Sequence, residues 1–402
     1  MTYYFPPQPD AGALRPGYLA KYLPQFGWEP SVVTRKHPLA SGSGCRIERA
    51  GVLGVPPPAL GGTEHTPARP RPKTNALRTL AKKVIFFPDA AIGWLPGALK
   101  ISHGLQKEQR FDAVISTALP ATAHLVGSAV SRRYSIPWIA DYRDLWTGYP
   151  YGNRGWVRRA LDRQVERATV RGASLITTVS EDLAEKLQRI HRRVPVEVIP
   201  NGFEAASEGD PDAVIPQFRF CYAGMLYGGE RNPEALFAAI AKLRATDEPA
   251  GHAARFIFFG PDRHFVQELA ARYGLDDVVD ARGIVSHEAV VREERASAVL
   301  LILLKDDPAT AAETGSKIFE YIATRRPILA FGQRESVLRS LITKNSLGWF
   351  ASDVDECASA IKSAYQQHVA GIYERVTTST WTLLTAREVS ARFASMLDRV
   401  VG

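Results

Sequence analysis

From Phe218 onward, apolar runs of strand length alternate with apolar-periodic stretches of helix length, and that alternation leaves few architectures open. The strand FRFCYAGM passes through the loop YGGERN to the helix PEALFAAIAKLRA, with Pro233 in its first turn. The order then continues as ARFIFFG, FVQELAARYG, VVDARG, SHEAVVREERAS and AVLLILL, and later PILAFG, ESVLRSLITKN and DECASAIKSAYQQH. A strand, a crossover helix and another strand make a parallel unit, and repeated units give a sheet covered by helices on both faces. The second half is therefore read as a doubly wound α/β domain.

The first half follows the same pattern less strictly. A turn-rich loop with Pro6, Pro7, Pro9 and Gly12 precedes a helix over Leu14–Phe26 and a strand over Glu29–Thr34. Only Met1–Phe5 is available for the strand that should come before that helix, so the first strand is expected to be short, or the true start to lie upstream. Residues 38–75 are rich in Pro, Gly and Arg without a period and read as a long irregular surface segment. The run ALRTLAKKVIFFPDAAIGWLPGALK intersperses Arg78, Lys82, Lys83 and Lys100 with Ile85, Phe86, Phe87, Trp94 and Leu95. It suits an interfacial membrane segment, and equally a helix that covers its own core. Then come the strand FDAVIST, a helix bearing His124 and the strand IPWIADYRDLW, which ends in Asp141, Arg143 and Asp144. A basic helix over Gly155–Gly172 leads to ASLITTVS, EDLAEKLQRI and VEVIPNG. Polar residues just past the carboxyl ends of parallel strands are where such sheets take ligands.

At 402 residues the chain exceeds one ordinary core. It divides into an N-terminal domain over 1–203, a C-terminal domain over 204–372, and closing helices over 373–402 that return to the first domain. Charge divides with it. Residues 1–200 hold 28 Lys and Arg against 15 Asp and Glu, a balance of +13, and the remainder holds 22 against 27, or −5. A basic first half suggests an anionic partner such as a phospholipid surface or a phosphorylated acceptor. Nucleic acid is the least favoured, since no helix-turn-helix or zinc pattern accompanies the charge. No apolar stretch reaches membrane-span length and no signal sequence follows Met1, so a cytoplasmic protein is expected. Cys45, Cys221 and Cys357 lack metal-ligand spacing and read as structural thiols.

The stretch ETGSKIFEYIATRRPILAFG, Glu313–Gly332, carries the chemistry. A polar run of Glu313, Thr314, Gly315 and Ser316 opens a short helix. Its unpaired N–H groups and dipole suit phosphate, and Lys317 adds a full charge. Glu320, one turn on, suits a pair of sugar hydroxyls. Arg231, at the end of the Gly-Gly loop after the first strand of the second half, would give a diphosphate its second cation. The plainer alternatives are a solvated Lys/Glu helix face and a surface arginine.

Taken together, PPxxGAxxxR over Pro6–Arg15, the PD and GW pairs (Pro88, Asp89, Gly93, Trp94), the His124 helix, DYRDLW, TVSEDL, VIPNG and GSKIFEYIA resemble the retaining glycosyltransferases of family 4 in their order and spacing. That resemblance covers nearly the whole chain. It implies the GT-B architecture of two Rossmann-like doubly wound domains facing a cleft, and a sugar-nucleotide donor, UDP- or GDP-linked, on the C-terminal domain. It further implies an acceptor on the N-terminal domain, with no cofactor and no metal; the basic first half and the Ile85–Leu95 segment point to a lipid-linked or other cell-envelope glycan acceptor. It gives Arg231 and Lys317 to the donor diphosphate, Ser316 and Gly315 to the helix start, and Glu320 to the ribose. Gly12, Gly224 and Gly260 go to close backbone approach to the donor, and His124 goes to the transferred sugar. Arg15, Asp141, Arg143 and Asp144 fall on the acceptor side. Two departures stand out. Met225 follows Gly224 where the family usually carries arginine, and six residues rather than seven separate Glu313 from Glu320, which puts the role of Glu313 at the sugar in question. A nucleotide-sugar 2-epimerase of the same architecture and a non-catalytic sugar-nucleotide-binding protein are the alternatives.

Overall fold

The computed structural model describes residues 1–8, 11–37, 44–53, 87–148, 155–204, 215, 217–308, 311, 317–371 and 385–402. The chain divides into two units, Met1–Gly202 with Leu384–Gly402, and Phe203–Leu383.

In the first unit, β1 (Ser31–Arg35) pairs in parallel with β2 (Arg46–Ala50). The strands β3 (Val114–Ala118), β4 (Trp138–Tyr142), β5 (Leu175–Thr178) and β6 (Val196–Val198) form a parallel sheet in that order. The opening residues bridge the two: Thr2 N–H donates to Val33 O at 3.1 Å, and Thr117 N–H donates to Met1 O at 3.0 Å. The helices are α1 (Ala11–Tyr22), α2 (Leu95–Glu108), α3 (Thr122–Tyr134), α4 (Trp156–Val170) and α5 (Glu181–Ile190). The core gathers Tyr3, Trp94, Trp138 and Tyr142, all fully buried.

Two expectations change here. Strand β2 lies inside the stretch read as irregular. Its sequence RIERA has no apolar run because it sits at a sheet edge with most of its side chains half-exposed. Trp94, read as a possible lipid contact, is instead a core residue whose ring meets Tyr3 edge-on at 5.7 Å. Ile85, Phe86, Arg78, Lys82 and Lys83 lie outside the described residues.

The second unit holds β7 (Arg219–Ala223), β8 (Arg255–Phe259), β9 (Val279–Gly283), β10 (Val299–Leu303), β11 (Ile328–Phe331) and β12 (Gly348–Ala351). They form one parallel sheet in the order β12-β11-β10-β7-β8-β9. Its helices are α6 (Glu234–Ala245), α7 (Pro249–Ala253), α8 (Arg263–Arg272), α9 (His287–Arg295), α10 (Lys317–Thr324), α11 (Val337–Lys344) and α12 (Val354–Val369). All five residues of β10, VLLIL, are buried, as a central parallel strand requires. Phe220 stacks on Phe256 at 4.9 Å in the core. The chain winds outward from β7 to β9 and then returns to the other side through β10, so the order reverses between β7 and β10. Ligands of open α/β sheets bind outside the strand carboxyl ends at such a reversal.

The closing helix α13 (Ala386–Val401) belongs to the first unit. Thr385 caps it by accepting from Glu388 N–H at 3.3 Å, the outcome expected of a T-x-x-E start. Val389, Phe393 and Leu397 then pack one face onto Leu19 and Leu23, and Trp28 donates to Asp398 at 2.9 Å. A cavity of about 570 Å³ in this unit lies by the amino ends of β1 and β3, beside Ser31 and Phe111, away from the carboxyl-end loops.

Candidate active site

In the second unit the site is built around the carboxyl end of β7. Gly224 follows that strand, and its N–H donates to Phe259 O at 2.9 Å. Gly260 follows β8 with φ of +151°, and a Cβ there would stand 2.1 Å from the Gly224 carbonyl oxygen. Only glycine allows the two turns to approach this closely. Asp262 accepts from Leu226 N–H at 2.7 Å and fixes the loop that leads to Arg231. A narrow recess opens among Tyr222, Gly224, Gly260 and Asp262.

Arg231 closes that loop through its N–H to Leu226 O at 3.0 Å, and its guanidinium lies 4.8 Å from the centre of the Tyr227 ring. Burial pushes the nearby Tyr222 hydroxyl up to about 12, and the charge of Arg231 draws it back. Tyr222 donates to Met225 O at 3.0 Å, which ties the carbonyl after Gly224 back to the end of β7.

Helix α10 is tied to the same strand end. The β7–β10 ladder pairs Phe220 and Cys221 and stops there, which leaves Ala223 N–H for the Tyr321 hydroxyl at 3.3 Å. Tyr321 lies one helical turn beyond Lys317. Lys317 Nζ donates to Glu320 Oε2 at 2.6 Å and faces Glu294 Oε1, on α9, at 3.6 Å. Burial works against the ammonium, but Glu320 and Glu294 outweigh it and hold its pKa above the ordinary lysine value. Glu294 is 1% exposed, and burial raises its carboxyl above the usual range although Lys317 pulls the other way. The structure thus gathers Gly224, Gly260, Arg231, Lys317 and Glu320 in one unit, with Arg231 and α10 both fastened to the end of β7. Glu313, Gly315 and Ser316 lie outside the described residues. Glu294 is the member that sequence reading missed. In HEAVVREERAS it looks like one of many charges on a solvated helix, and only its burial distinguishes it.

The residues expected at an acceptor site in the first unit behave differently. Arg15 donates to Asp141 through Nε at 3.2 Å and Nη2 at 3.0 Å, and through Nη1 to Pro200 O at 2.8 Å. Thr177 also donates to Asp141, at 2.8 Å, and Phe393 of α13 lies under the guanidinium at 4.9 Å. Both side chains are buried, and Arg15 and Asp141 form an internal ion pair that joins α1, β4, β5 and α13. Arg143 donates to the carbonyls of Ala118 and Leu119 at 3.0 and 3.2 Å and braces the loop after β3. Asp144 has an exposed side chain. Gly12 is buried at the head of α1.

His124 is fully buried, with Nδ1 2.8 Å from Ser116 Oγ and its ring 4.5 Å from that of Tyr142. Burial drops its pKa to about 3, which keeps the ring neutral. The PD pair has a structural task too. Asp89 accepts from Thr122 Oγ1 at 2.7 Å and Thr122 N–H at 2.9 Å, which holds the start of α3. Among the described residues no three His, Cys, Asp or Glu side chains gather to hold a metal ion.

Comparison with solved structures places this fold among GT-B proteins of two Rossmann-like domains. The chain is similar to sucrose-phosphate synthase from Thermosynechococcus elongatus, at 17% identity and a TM-score of 0.59, with 100% of this chain and 94% of that one covered. HepE from Anabaena, crystallised with UDP and glucose, gives 15% identity and a TM-score of 0.63 over 99% of both chains. The lipopolysaccharide outer core galactosyltransferase WaaB gives 11% and 0.60, covering 99% of this chain and 98% of that one. Residues 13–202 match the model of the glycosyl transferase 4-like domain. No curated protein matches the sequence.

Proposed function

We propose that the protein is a retaining glycosyltransferase that moves a sugar from a nucleotide-sugar donor to a lipid-linked or other cell-envelope glycan acceptor at the cytoplasmic face of the membrane. The observation that carries this reading is the convergence of Arg231 and the Lys317–Glu320 helix on the end of β7, in a chain whose other half matches a glycosyl transferase 4-like domain. The similar solved structures include HepE holding UDP and glucose and a galactosyltransferase, which supports a UDP-sugar donor.

In this reading the second unit takes the donor. Arg231 and Lys317 neutralise the diphosphate as the bond from the anomeric carbon to its oxygen breaks, and Glu320 turns to the ribose hydroxyls. The acceptor hydroxyl attacks the same face and its proton passes to the departing diphosphate, so no strong protein base is required. Interactions that tighten as charge develops raise the rate more than the affinity. No cofactor enters beyond the sugar nucleotide.

The test is release of nucleoside diphosphate from a panel of UDP-, GDP- and ADP-sugars supplied with polyprenyl-diphosphate acceptors. Acceptor-dependent release from one donor supports the reading. Conversion of the donor without acceptor would assign a 2-epimerase instead. Met225 beside Gly224, and Lys317 already engaged by Glu320 and Glu294, favour a second reading as a non-catalytic sugar-nucleotide-binding protein. Tight donor binding with no release in any combination would decide for that one.

A further inference from the structure

The outer face of α4 combines large exposed apolar side chains with a row of arginines. At about 100° per residue, Arg159, Arg163 and Arg167 line one side of the exposed arc with Trp156 among them, and Val157 and Leu161 line the other. Trp156 is 82% exposed, Val157 52% and Leu161 48%. Arg159, Arg163, Arg167 and Arg171 are exposed as well.

The two acids of the helix are turned the other way. Asp162 is buried and accepts from Arg158 Nε at 3.1 Å, while Arg158 also donates to Pro88 O at 2.6 Å. Glu166 is buried and accepts from Tyr142 OH and Thr147 N–H, each at 3.1 Å. Both carboxylates are thus spent inside the unit, and the face left to solvent carries arginine and apolar groups with no acid among them. A helix whose only need was solubility would place its acids outside and an apolar side chain as large as Trp156 inside.

We infer that this face of α4 docks on an anionic lipid bilayer. Trp156 would settle at the headgroup level, Val157 and Leu161 would enter the acyl boundary, and the arginine row would meet lipid phosphates. The docking surface differs from the Ile85–Leu95 stretch singled out in the sequence, where Trp94 is core. It deepens the proposed function by naming the surface that would meet a lipid-borne acceptor, and it rests on that reading only for the acceptor, since vesicle binding is measured without turnover.

The test uses the full chain with vesicles of phosphatidylglycerol mixed into phosphatidylcholine and with phosphatidylcholine alone, scored by co-sedimentation. The wild type binds the anionic vesicles and not the neutral ones, and raised salt weakens binding. Each basic residue near such a surface contributes roughly fivefold, so Arg163→Glu with Arg167→Glu lowers partitioning by at least about 30-fold. Trp156→Ala with Leu161→Ser lowers it at unchanged charge. Thermal unfolding and UDP binding in the second unit stay as in the wild type for both pairs, which separates loss of docking from loss of fold and from failure of the donor reading. Undiminished vesicle binding in both pairs overturns the inference. So does loss of binding only in Lys82→Glu with Lys83→Glu, or an α4-dependent dimer in solution without vesicle binding.

Discussion

Arg15 and Asp141, 126 residues apart, close on each other as a two-pronged ion pair with neither side chain more than 3% exposed. The pair holds the first helix to the sheet, and through Pro200 and Phe393 it reaches the end of the first unit and the returning helix. Removing one partner leaves the other charged and buried. Asp141→Ala should therefore destabilise the first unit by about 3–5 kcal/mol, measured by urea unfolding. UDP binding to the second unit should be unchanged. Lost donor binding at full stability would return Asp141 to the ligand site.

Lys317 and Glu320 make the strongest kinetic prediction. Lys317→Ala and Arg231→Ala should each remove about 2–4 kcal/mol of transition-state stabilisation, seen as a fall in kcat larger than any rise in KM. Glu320→Gln should act mainly on KM for the donor, since the carboxylate is assigned to the ribose and not to the developing charge. Steady-state kinetics with the donor found in the panel separates the two patterns.

Gly260 tests the geometry of the site without touching its charges. A Cβ would meet the Gly224 carbonyl, and the φ of +151° disfavours any other residue. Gly260→Ala should cost the second unit about 2–4 kcal/mol and weaken donor binding as the two turns part. Wild-type melting and wild-type affinity together would show that the close approach is dispensable.

His124 ties stability to acid. Its folded pKa is depressed from 6.5 to about 3 by burial, so below the unfolded value the unfolded chain binds a proton that the folded chain refuses. This contribution is fully present above pH 6.5 and is lost as pH falls towards 3, with a slope of about 1.4 kcal/mol per unit. Unfolding free energies between pH 7.5 and 4 should show that limb in the wild type. In His124→Gln the limb should be shallower by one proton, and an unaltered slope would mean that the ring is solvated.

Much of the second unit was legible because its signals are local. A buried strand such as VLLIL, the punctuation of Gly224 and Gly260 after strands, and the spacing of Lys317 from Glu320 are all written within a few residues. The first unit was read less well because its determinants are distant in sequence. Whether Asp141 meets a ligand or Arg15, and whether His124 faces a cleft or Tyr142, depends on how separate elements pack. The same applies to Glu294, whose charge reads as a surface feature until α9 and α10 are brought together, and to α4, whose acids and arginines were countable but could not be assigned to faces. Strand β2 escaped because an edge strand needs no apolar run.

The central claim is that the second unit binds a nucleotide sugar through Arg231, Lys317 and Glu320. Isothermal titration of UDP, GDP and their sugar conjugates into the wild type and into Arg231→Ala and Lys317→Ala tests it most directly. The account predicts saturable binding of at least one conjugate at one site per chain, weakened in both variants while their unfolding is unchanged. Binding of none of them by folded wild type, or equal affinity in all three proteins, would contradict it.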